Sequence, residues 1–558
     1  MEISEEIRKD IRNYALQNAI KFNGRANAGA AIGKILSTHP ELKKSMAELG
    51  KAAAEIINEV NSMPLEKQTE ELTKTAPELL EKKEKKKKEL PELKNAEEGK
   101  VVTRLPPEPS KYLHIGHALS FLINYMYAVK YKGKCVLRFE DTNPEKSEKE
   151  YYDSIRDDIE WLKIKPSKEV IVSNDIEKFY HYAEQLIKQG QAYVCFCDRE
   201  KMRKYREEAM ICDERSTPPE DNLEHWKKMV KGEYKEGEAV LRLNGQMDSH
   251  NMVMRDPVIF RIVSHKHPIQ GDKHKAWPMY DFENALEEEL CGITHIMRSS
   301  EFGEMRVELQ NYLKDLLGFN KQEVLQYGRF NIVGAVSKGR EIREMIKEGK
   351  MKGWDDPRLV TLKALRRRGI QPEALYDLAV EAGLSKNQTN IDFSIVAAIN
   401  RKLIDPVTNR YFFVADPRKI EIENAPGIKA EAPLHPEHPG RGKRKFSTKS
   451  EFYIAGNDKD DMREGKAYRL MHLFNFKDGK FVSEGLDADL KAKLIHWLPC
   501  EEAMGAEVVM PDSTVVKGLV EHNASNISVG EVVQLERFGF CRLDKKDEKK
   551  LYFWYTHD

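Results

Sequence analysis

Two histidines with a glycine between them form the most distinctive chemical pattern in this sequence: His114, Gly116 and His117. A Pro-rich turn that includes Pro107 precedes them, and an apolar run over residues 118–129 follows. This order predicts a strand, a loop and a helix N-terminus, where unpaired N–H groups and the helix dipole favour an anion. Glycine lets a ligand approach the backbone, and imidazoles donate hydrogen bonds to phosphate oxygens. The pattern therefore predicts a nucleotide site.

The residues around the histidines identify a family. Residues 103–117 read TRLPPEPSKYLHIGH, which closely resembles the signature of class I aminoacyl-tRNA synthetases of the glutamyl/glutaminyl branch. The resemblance covers roughly residues 100–410 and extends more loosely to both ends, where the N-terminal helical extension resembles the archaeal-type glutamyl enzymes. It implies that an amino-acid carboxylate attacks the α-phosphorus of ATP. His114 and His117 would act electrostatically, and Pro107 and Gly116 would contact the nucleotide.

A second phosphate-binding element, mobile and basic, is expected after the nucleotide fold closes. Residues 335–341 read AVSKGRE and resemble the family's KMSKS loop, with Ser337 and Lys338 at its third and fourth positions. The first lysine, the methionine and the last serine of that signature are replaced. The resemblance implies that Ser337 and Lys338 bind ATP, with Lys338 following the phosphates as a movable catalytic charge. Glu301 would contact the ATP ribose or the terminal adenosine of tRNA.

The same resemblance implies an amino-acid pocket. Its residues are Arg104, Glu140 in RFEDTN, Tyr280 and Asn284 in YDFEN, and Arg298 in THIMRSSEF. Glu140 would pair with the α-ammonium group. Glutaminyl enzymes that resemble this chain carry a cysteine at position 298, whereas glutamyl enzymes carry arginine. A buried γ-carboxylate requires a cation, and a guanidinium matches a carboxylate better than an amide. Arg298 therefore predicts glutamate as the substrate.

Three cysteines raise the question of a metal. Cys195, Cys197 and Cys212 resemble thiol ligands of the zinc site found in some glutamyl enzymes. A structural zinc ion takes four ligands, and Asp213 and Glu214 offer no obvious fourth. The sequence therefore favours ordinary semi-buried thiols over zinc. Mg²⁺ is expected only with the ATP substrate.

Composition limits where partners can bind. Lys plus Arg and Asp plus Glu both total 92 in 558 residues, so the net charge is zero and a tRNA surface must be a local patch. Basic runs at residues 366–368 and 440–449 are candidates, the second with Phe446 beside aromatic strands that could stack on bases. Seven cysteines favour a reducing compartment, and no signal or membrane segment is evident. We expect a cytoplasmic enzyme that binds tRNA(Glu), glutamate and ATP, and the family resemblance adds a monomeric state.

Pattern and resemblance together predict a multidomain α/β fold with a Rossmann-like catalytic domain. An inserted domain would receive the tRNA acceptor end, and C-terminal β-barrels would bind the anticodon. The expected regions are residues 1–95 (N-terminal helical module and charged tether), 96–205 (first catalytic half), 206–275 (inserted domain), 276–340 (second catalytic half with the KMSKS-like loop), 341–408 (helical connector) and 409–558 (β-barrels).

Three alternatives stay open at this point. A glutaminyl-tRNA synthetase is opposed by Arg298, and an inactive tRNA-binding paralogue is suggested only by the altered loop at residues 335–341. A nucleotidyltransferase for a small cofactor would leave the inserted domain and the barrels without a purpose. The sequence does not decide whether glutamine tRNA is charged as well.

Overall fold

The structure is a computed structural model that describes residues 3–21, 24–39, 42, 45–80, 89–336 and 338–558. The chain divides into two compact units, Met1–Lys88 and Glu89–Asp558. Most of the Lys/Glu segment expected to be a solvated helix or tether, residues 81–88, lies outside the described residues. Within the described ranges, no helix is both long enough and apolar enough to cross a bilayer.

The first unit is helical, because apolar residues recur at helical spacing along it. Its helices are α1 (Glu5–Lys21), α2 (Ala28–Thr38), α3 (Met46–Ser62) and α4 (Leu65–Thr75). Their inward faces form one core that includes Ile11, Leu16, Ile35, Leu49 and Leu72.

The second unit begins with parallel strands and the helices that cover them. These elements are β1 (Val102–Leu105), α5 (Ile115–Lys130), β2 (Lys134–Phe139), α6 (Lys149–Trp161), β3 (Lys168–Ile171) and α7 (Ile176–Lys188). The strands pair in the order β1, β2, β3, all parallel. The carboxyl ends of parallel strands meet at one edge, which is where ligands bind in such folds.

An antiparallel sheet of four strands interrupts this parallel arrangement. Its region comprises β4 (Ala192–Cys195), α8 (Arg199–Glu207), α9 (Pro219–Lys231), β5 (Val240–Leu243), β6 (Val258–Ile262) and β7 (Ala276–Pro278). The strand order is β4, β5, β6, β7. The sheet therefore starts before residue 206 and ends after residue 275, the limits expected for the inserted domain.

The chain then returns to the parallel strands. It forms α10 (Tyr280–Leu290), β8 (His295–Ser299), α11 (Gly303–Leu317), β9 (Glu323–Tyr327) and β10 (Phe330–Ile332). β8 and β9 are parallel. Just before β8, the Thr294 N–H donates to Val102 O at 3.0 Å, and the Val102 N–H donates to Thr294 Oγ1 at 2.9 Å. These bonds join the returning strands to β1 and bring β8 to the same ligand-binding edge.

Helices follow the catalytic strands. They are α12 (Gly339–Lys347), α13 (Leu362–Arg368) and α14 (Pro372–Ala382), followed by β11 (Thr389–Ile391) and α15 (Phe393–Ile404). β11 pairs with β10 in parallel.

The C-terminal region consists mainly of strands. They are β12 (Arg410–Tyr411), β13 (Phe413–Ala415), β14 (Pro417–Glu421), β15 (Lys429–Pro433), β16 (Lys443–Ser447), β17 (Glu451–Ala455), β18 (Ala467–Leu470), β19 (Asn475–Lys477), β20 (Lys480–Ser483), β21 (Lys493–Ile495), β22 (Leu498–Pro499), β23 (Ala503–Val509), β24 (Val515–Glu521), β25 (Val532–Leu535), β26 (Gly539–Lys546) and β27 (Lys550–His557), with the short helix α16 (Gly456–Asp460) after β17.

A seven-stranded sheet runs in the order β12, β25, β26, β27, β23, β24, β13. Its two outer strands are separated only by Phe412, so the sheet curls back on itself around a core of its own. A second core lies among β14 to β22. An Asp-Gly pair between two strands predicts a tight hairpin turn. Asp478 and Gly479 form that turn between β19 and β20, both with positive φ (47° and 75°). The multidomain α/β fold class is confirmed.

Candidate active site

A cavity of about 620 Å³ lies where β1, β2 and β8 end and α5 begins. Most of the predicted site residues line it: Arg104, Pro107, His114, Gly116, His117, Glu140, Tyr280, Arg298 and Glu301. They come together because each lies on or next to the carboxyl end of a parallel strand, at the first turn of α5 or, for Tyr280, at the start of α10.

The two histidines form the N-terminal cap of α5. Nδ1 of His114 accepts the Gly116 N–H at 3.1 Å, and Nδ1 of His117 accepts the His114 N–H at 3.2 Å. Because both Nδ1 atoms are acceptors, the proton of each neutral ring belongs on Nε2. Burial lowers the pKa of His114 to about 3, with Lys111 and Arg329 adding to the effect, and lowers the pKa of His117 well below its ordinary value. The pair therefore offers two neutral N–H donors.

Gly116 is required by the cap itself. A Cβ at this position would stand 2.9 Å from Cε1 of His114, closer than Cβ atoms approach other atoms. Gly116 therefore makes room for the neighbouring imidazole. It also lines the cavity, and its predicted contact with a nucleotide stays a prediction.

A buried network of ion pairs lies under the cavity. Arg104 Nε donates to Glu288 at 3.0 Å, and Arg138 donates to Glu288 at 3.2 Å and to Glu140 at 2.7 Å. Burial alone would raise the pKa of Glu288, but Arg138 and Arg104 lower it to about 2. Burial raises the pKa of Glu140, an effect that the same arginines partly offset. Glu140 thus lines the cavity, while the buried Glu288 anchors the arginines beneath it.

Asn284 differs from the other four residues predicted for the amino-acid pocket because it does not line the cavity. It is fully buried, and its Nδ2 donates to Glu140 Oε1 at 2.9 Å. Its position supports Glu140 rather than a direct contact with substrate. The carbonyl of Pro107 also holds this stretch, accepting the Glu140 N–H at 2.9 Å.

Arg298 is held from behind by a chain of polar side chains. Its Nη1 donates to Gln310 Oε1 at 3.1 Å, Gln310 Nε2 donates to Asp281 at 3.1 Å, and Arg306 donates to Asp281 at 2.6 Å. Arg298 is 4 % exposed, and its neighbour in the cavity is Arg104. Burial lowers the pKa of Arg298, and the like charge of Arg104 lowers it further. An anionic ligand between the two guanidiniums would relieve that repulsion.

The KMSKS-like loop is placed differently from the other predicted residues. Ser337 lies outside the described residues. Lys338, directly before α12, is exposed, pairs with Glu341 at 3.0 Å and is not part of the cavity wall. Glu301, by contrast, lies at the cavity and accepts from Arg329 at 2.9 Å. Lys338 would have to move to reach a ligand in the cavity.

Several cavity residues were not singled out from the sequence. Lys111, Lys146, Arg261 and Arg329 add positive charge to its wall. Lys111 belongs to the same quoted stretch as the histidines, so its charge and its spacing of three residues from His114 were available signals. Arg261 and Arg329 could not be found locally, because they reach the cavity from β6 and from the turn after β9.

A cluster of possible metal ligands lies outside this cavity, around β4. The thiol sulfurs of Cys195 and Cys197 lie 3.7 and 3.5 Å from that of Cys212, and Cys197 Sγ lies 3.7 Å from a Glu214 carboxylate oxygen. All four ligand atoms lie within 4.8 Å of one another. Tetrahedral zinc with bonds of about 2.3 Å separates its sulfur ligands by roughly 3.8 Å, so the spacing fits. Glu214 supplies the fourth donor that the sequence reasoning did not find.

Both predicted RNA patches contain side chains that the protein uses internally, although Arg441, Lys443, Lys445 and Lys449 are exposed. Phe446 is buried and packs on Phe412 and Trp497, and Arg444 pairs with Glu521 in the core. Phe474 and Phe476, which lie at β19 among the aromatic strands expected to stack on bases, are buried as well. The expected stacking of bases on these rings is therefore wrong for this arrangement, because the rings fill the cores of the C-terminal region.

The basic run at residues 366–368 is mostly used for internal contacts. Arg367 pairs with Asp355 and Asp544, both at 2.7 Å, while the buried Arg368 donates to Thr556 O at 3.1 Å. Only Arg366 of the run is exposed. Two of the three arginines thus join α13 to the C-terminal strands.

Models of known protein families match most of the chain. The family described as tRNA synthetases class I (E and Q), catalytic domain, matches residues 100–406. The anti-codon binding domains of the same group match residues 408–495 and 494–544.

The chain is also similar to individual proteins. A crystal structure of a glutamate tRNA ligase from Elizabethkingia meningosepticum in complex with its amino acid is similar with a TM-score of 0.41 and 18 % identity, over 56 % of this chain and 70 % of that one. Glutamate--tRNA ligase of Pyrococcus furiosus is 42 % identical over 574 residues, and that of Pyrococcus abyssi is 43 % identical over 573, each covering 99 % of this chain and all of the relative. Because the catalytic family covers more than half of the chain and these two relatives match nearly all of it, the chain belongs to the class I tRNA synthetases of the E and Q group.

Proposed function

We propose that the protein is a glutamate–tRNA ligase. It would form glutamyl-adenylate and pyrophosphate from glutamate and Mg-ATP, and would then transfer the glutamyl group to the terminal ribose of tRNA(Glu). The observation that carries this proposal is the pair of buried guanidiniums, Arg104 and Arg298, at one cavity with Glu140. The names of the two archaeal relatives support the same conclusion.

The charges of the cavity match a glutamate molecule. Glu140 would accept the α-ammonium, and Arg298 would bind the γ-carboxylate while Arg104 and Tyr280 complete the pocket. Glutamine would place a neutral amide beside Arg298 and lose most of that attraction, which is how a charged pocket rejects an isostere. Asn284 would act by holding Glu140.

The nucleotide would lie against the first turn of α5. His114 and His117 would donate from Nε2 to phosphate oxygens as negative charge grows there, with Pro107, Gly116 and Glu301 next to the nucleotide. No protein nucleophile is needed, because the glutamate carboxylate itself attacks the α-phosphorus. Ser337 and Lys338 would join from the loop. The Lys338–Glu341 ion pair is solvent-exposed and worth at most about 1 kcal/mol, so it does not hinder that movement.

The remaining assignments follow from the same proposal. The sheet of β4 to β7 would receive the acceptor end of tRNA, and the C-terminal strands would bind the anticodon, within the regions expected from the sequence. We take the enzyme to be a cytoplasmic monomer. Whether it also charges tRNA(Gln) would be decided by aminoacylation of purified isoacceptors.

We also propose that Cys195, Cys197, Cys212 and Glu214 hold a structural zinc ion. The expectation of ordinary thiols rested on the lack of a fourth ligand, which Glu214 now provides. Three thiol sulfurs and a carboxylate oxygen lie within 4.8 Å of one another, a spacing at which one cation could bind all four. Zinc would tie β4 to the segment before α9, away from the cavity.

ATP–pyrophosphate exchange tests the main proposal. We expect exchange with glutamate and little with glutamine, measured with and without tRNA. Replacing Arg298 by cysteine should lower kcat/KM for glutamate by about 100-fold or more, as expected for a charge-assisted contact worth roughly 3 kcal/mol. Unchanged glutamate activation in Arg298→Cys would refute the charge argument, and absence of exchange with both amino acids would favour an inactive tRNA-binding paralogue.

A further inference from the structure

Lys111 is a cation in the cavity wall to which the proposed function assigns no role. It lies three residues before His114, is half-buried and contributes to the cavity wall. In the part of the chain that the structure describes, no carboxylate lies within ion-pair distance of Lys111, and its ammonium makes no hydrogen bond. A lysine that is partly removed from water without a partner is costly unless a ligand supplies the opposite charge.

The surroundings of Lys111 are positive. Lys146 and Arg329 line the same cavity, and Arg343 donates to Ser110 O at 3.0 Å next to Lys111. Burial lowers the pKa of Lys111, these three cations lower it further, and only Glu108 opposes them. Glu108 is itself shared with Lys146 at 3.5 Å. Because both histidines are neutral, this excess of positive charge is the main electrostatic feature beside them, and it suits a ligand with several negative charges.

Lys111 also packs against the KMSKS-like loop. A Cβ on Gly339 would lie 3.3 Å from both Cβ and Cδ of Lys111, so the aliphatic part of the lysine rests on the backbone where α12 begins. The loop places Ala335 where the family signature has its first lysine. Lys111 thus puts a cation next to a loop in which the first lysine of the signature is replaced by Ala335.

We propose that Lys111 is a catalytic residue that binds the polyphosphate of ATP and stabilises the departing pyrophosphate. This inference rests on the proposed function. In the step concerned, a glutamate carboxylate oxygen forms a bond to the α-phosphorus, and the bond from that phosphorus to the oxygen bridging to the β-phosphate breaks. The electron pair leaves on pyrophosphate, whose growing charge Lys111 neutralises without transferring a proton. Lys338 provides the movable charge and Lys111 the fixed one.

Replacing Lys111 by methionine, which keeps the aliphatic contact with Gly339, tests the proposal. We expect kcat/KM for ATP in pyrophosphate exchange to fall about 100-fold, as for the loss of one oriented charged donor, while KM for glutamate stays within twofold. Lys111→Arg should retain most of the activity. The matched control is Lys363→Met, because Lys363 packs over the Tyr112 ring at 4.3 Å but does not line the cavity.

Calorimetry separates this inference from the proposed function, since it needs no amino acid. Lys111→Met should weaken binding of ATP about tenfold or more and leave adenosine binding unchanged. Equal binding of ATP by wild type and Lys111→Met, or an equal loss for adenosine, would overturn the role of Lys111. Absence of exchange in the wild-type protein would instead overturn the glutamate–tRNA ligase proposal, whatever the calorimetry shows.

Discussion

At the scale of single residues, the charge state of the two histidines decides how they can act. Two imidazoles whose ring centroids are 3.8 Å apart cannot both carry a positive charge at low cost. Each Nδ1 already accepts a backbone N–H, so each Nε2–H can point to a phosphate oxygen. The site thereby gains two oriented donors while its positive charge comes from lysine and arginine.

The pKa of His114 gives a direct test of this state. Since it is lowered to about 3, the ring should stay neutral as the pH falls from 8 to 5, with its proton on Nε2. The unfolded chain takes up that proton near pH 6.5, so His114 should make the fold less stable as the pH falls below that value. Nitrogen-15 NMR of labelled histidines, assigned with His114→Asn and His117→Asn, would measure the charge of each ring and show which nitrogen carries the proton. A protonation midpoint near 6.5 for either ring would contradict the buried cap.

Gln310 should control how Arg298 is presented to the substrate. Gln310→Leu keeps the volume but removes the acceptor at 3.1 Å from the guanidinium. Hydrogen bonds to charged groups contribute about 1.5–3 kcal/mol, so KM for glutamate should rise about 10- to 100-fold while kcat changes less. Tyr312→Phe, which removes a hydrogen bond elsewhere on α11, is the control. An unchanged KM in Gln310→Leu would show that Arg298 is oriented by other contacts.

Residue identity was easier to predict than residue role. Motif spacing pointed to the histidines, and the family resemblance pointed to Glu140 and Arg298. All four do line one cavity, because they lie near strand ends or at the first turn of α5. Neither signal revealed that Asn284 reaches Glu140 rather than the cavity, or that Arg329 completes the wall. Such relations depend on which side chains meet across elements that are distant in sequence.

At the scale of elements, the sequence predicted strands and turns but not which faces they bury. The Asp478-Gly479 turn followed from local chemistry. The alternating strand β16 carries Phe446 with exposed lysines beside it, a pattern that suits either a core face or an RNA-binding face. The packing of Phe446 on Phe412 and Trp497 decides between them, and no local pattern contains that information.

The cluster at β4 gives a prediction about an element. Protein purified without chelator should contain about one zinc ion per chain by mass spectrometry, and Cys197→Ser should lose it. The Tm of Cys197→Ser should fall by about 5 °C, since the loss of a structural metal lowers the free energy of unfolding by a few kcal/mol. Cys500→Ser is the control, because Cys500 is a half-buried thiol outside the cluster. If the purified protein contains no zinc and Cys197→Ser and Cys500→Ser have the same Tm, the zinc site is refuted.

At the scale of the whole chain, a net charge of zero predicted local patches for RNA, and one of the two candidate patches forms a junction inside the protein. Arg367 meets Asp544, 177 positions away, and Arg368 meets the carbonyls of the last strand. A run of arginines looks alike in sequence whether it binds RNA or a distant carboxylate. The connector and the C-terminal strands are therefore linked through buried polar contacts.

Arg368→Met should weaken that link. It would leave the carbonyl groups of Tyr555 and Thr556 without their buried donor, and we expect a loss of about 2–4 kcal/mol in the free energy of unfolding. Denaturant unfolding monitored by tryptophan fluorescence would measure it. Arg366→Met, at the exposed neighbour, should leave stability unchanged and affect only the KM for tRNA if that residue touches RNA. Equal stability of the two variants would contradict the junction.

The chain of groups behind Arg298 has a consequence for how such a protein could change its amino acid during evolution. Replacing Arg298 alone would leave Gln310 Oε1 without its hydrogen-bond donor and would weaken the hydrogen bonds that join Gln310 and Arg306 to Asp281. A change to another amino-acid substrate would need coordinated substitutions on β8, α10 and α11. The amino-acid specificity is therefore hard to alter by one mutation at a time.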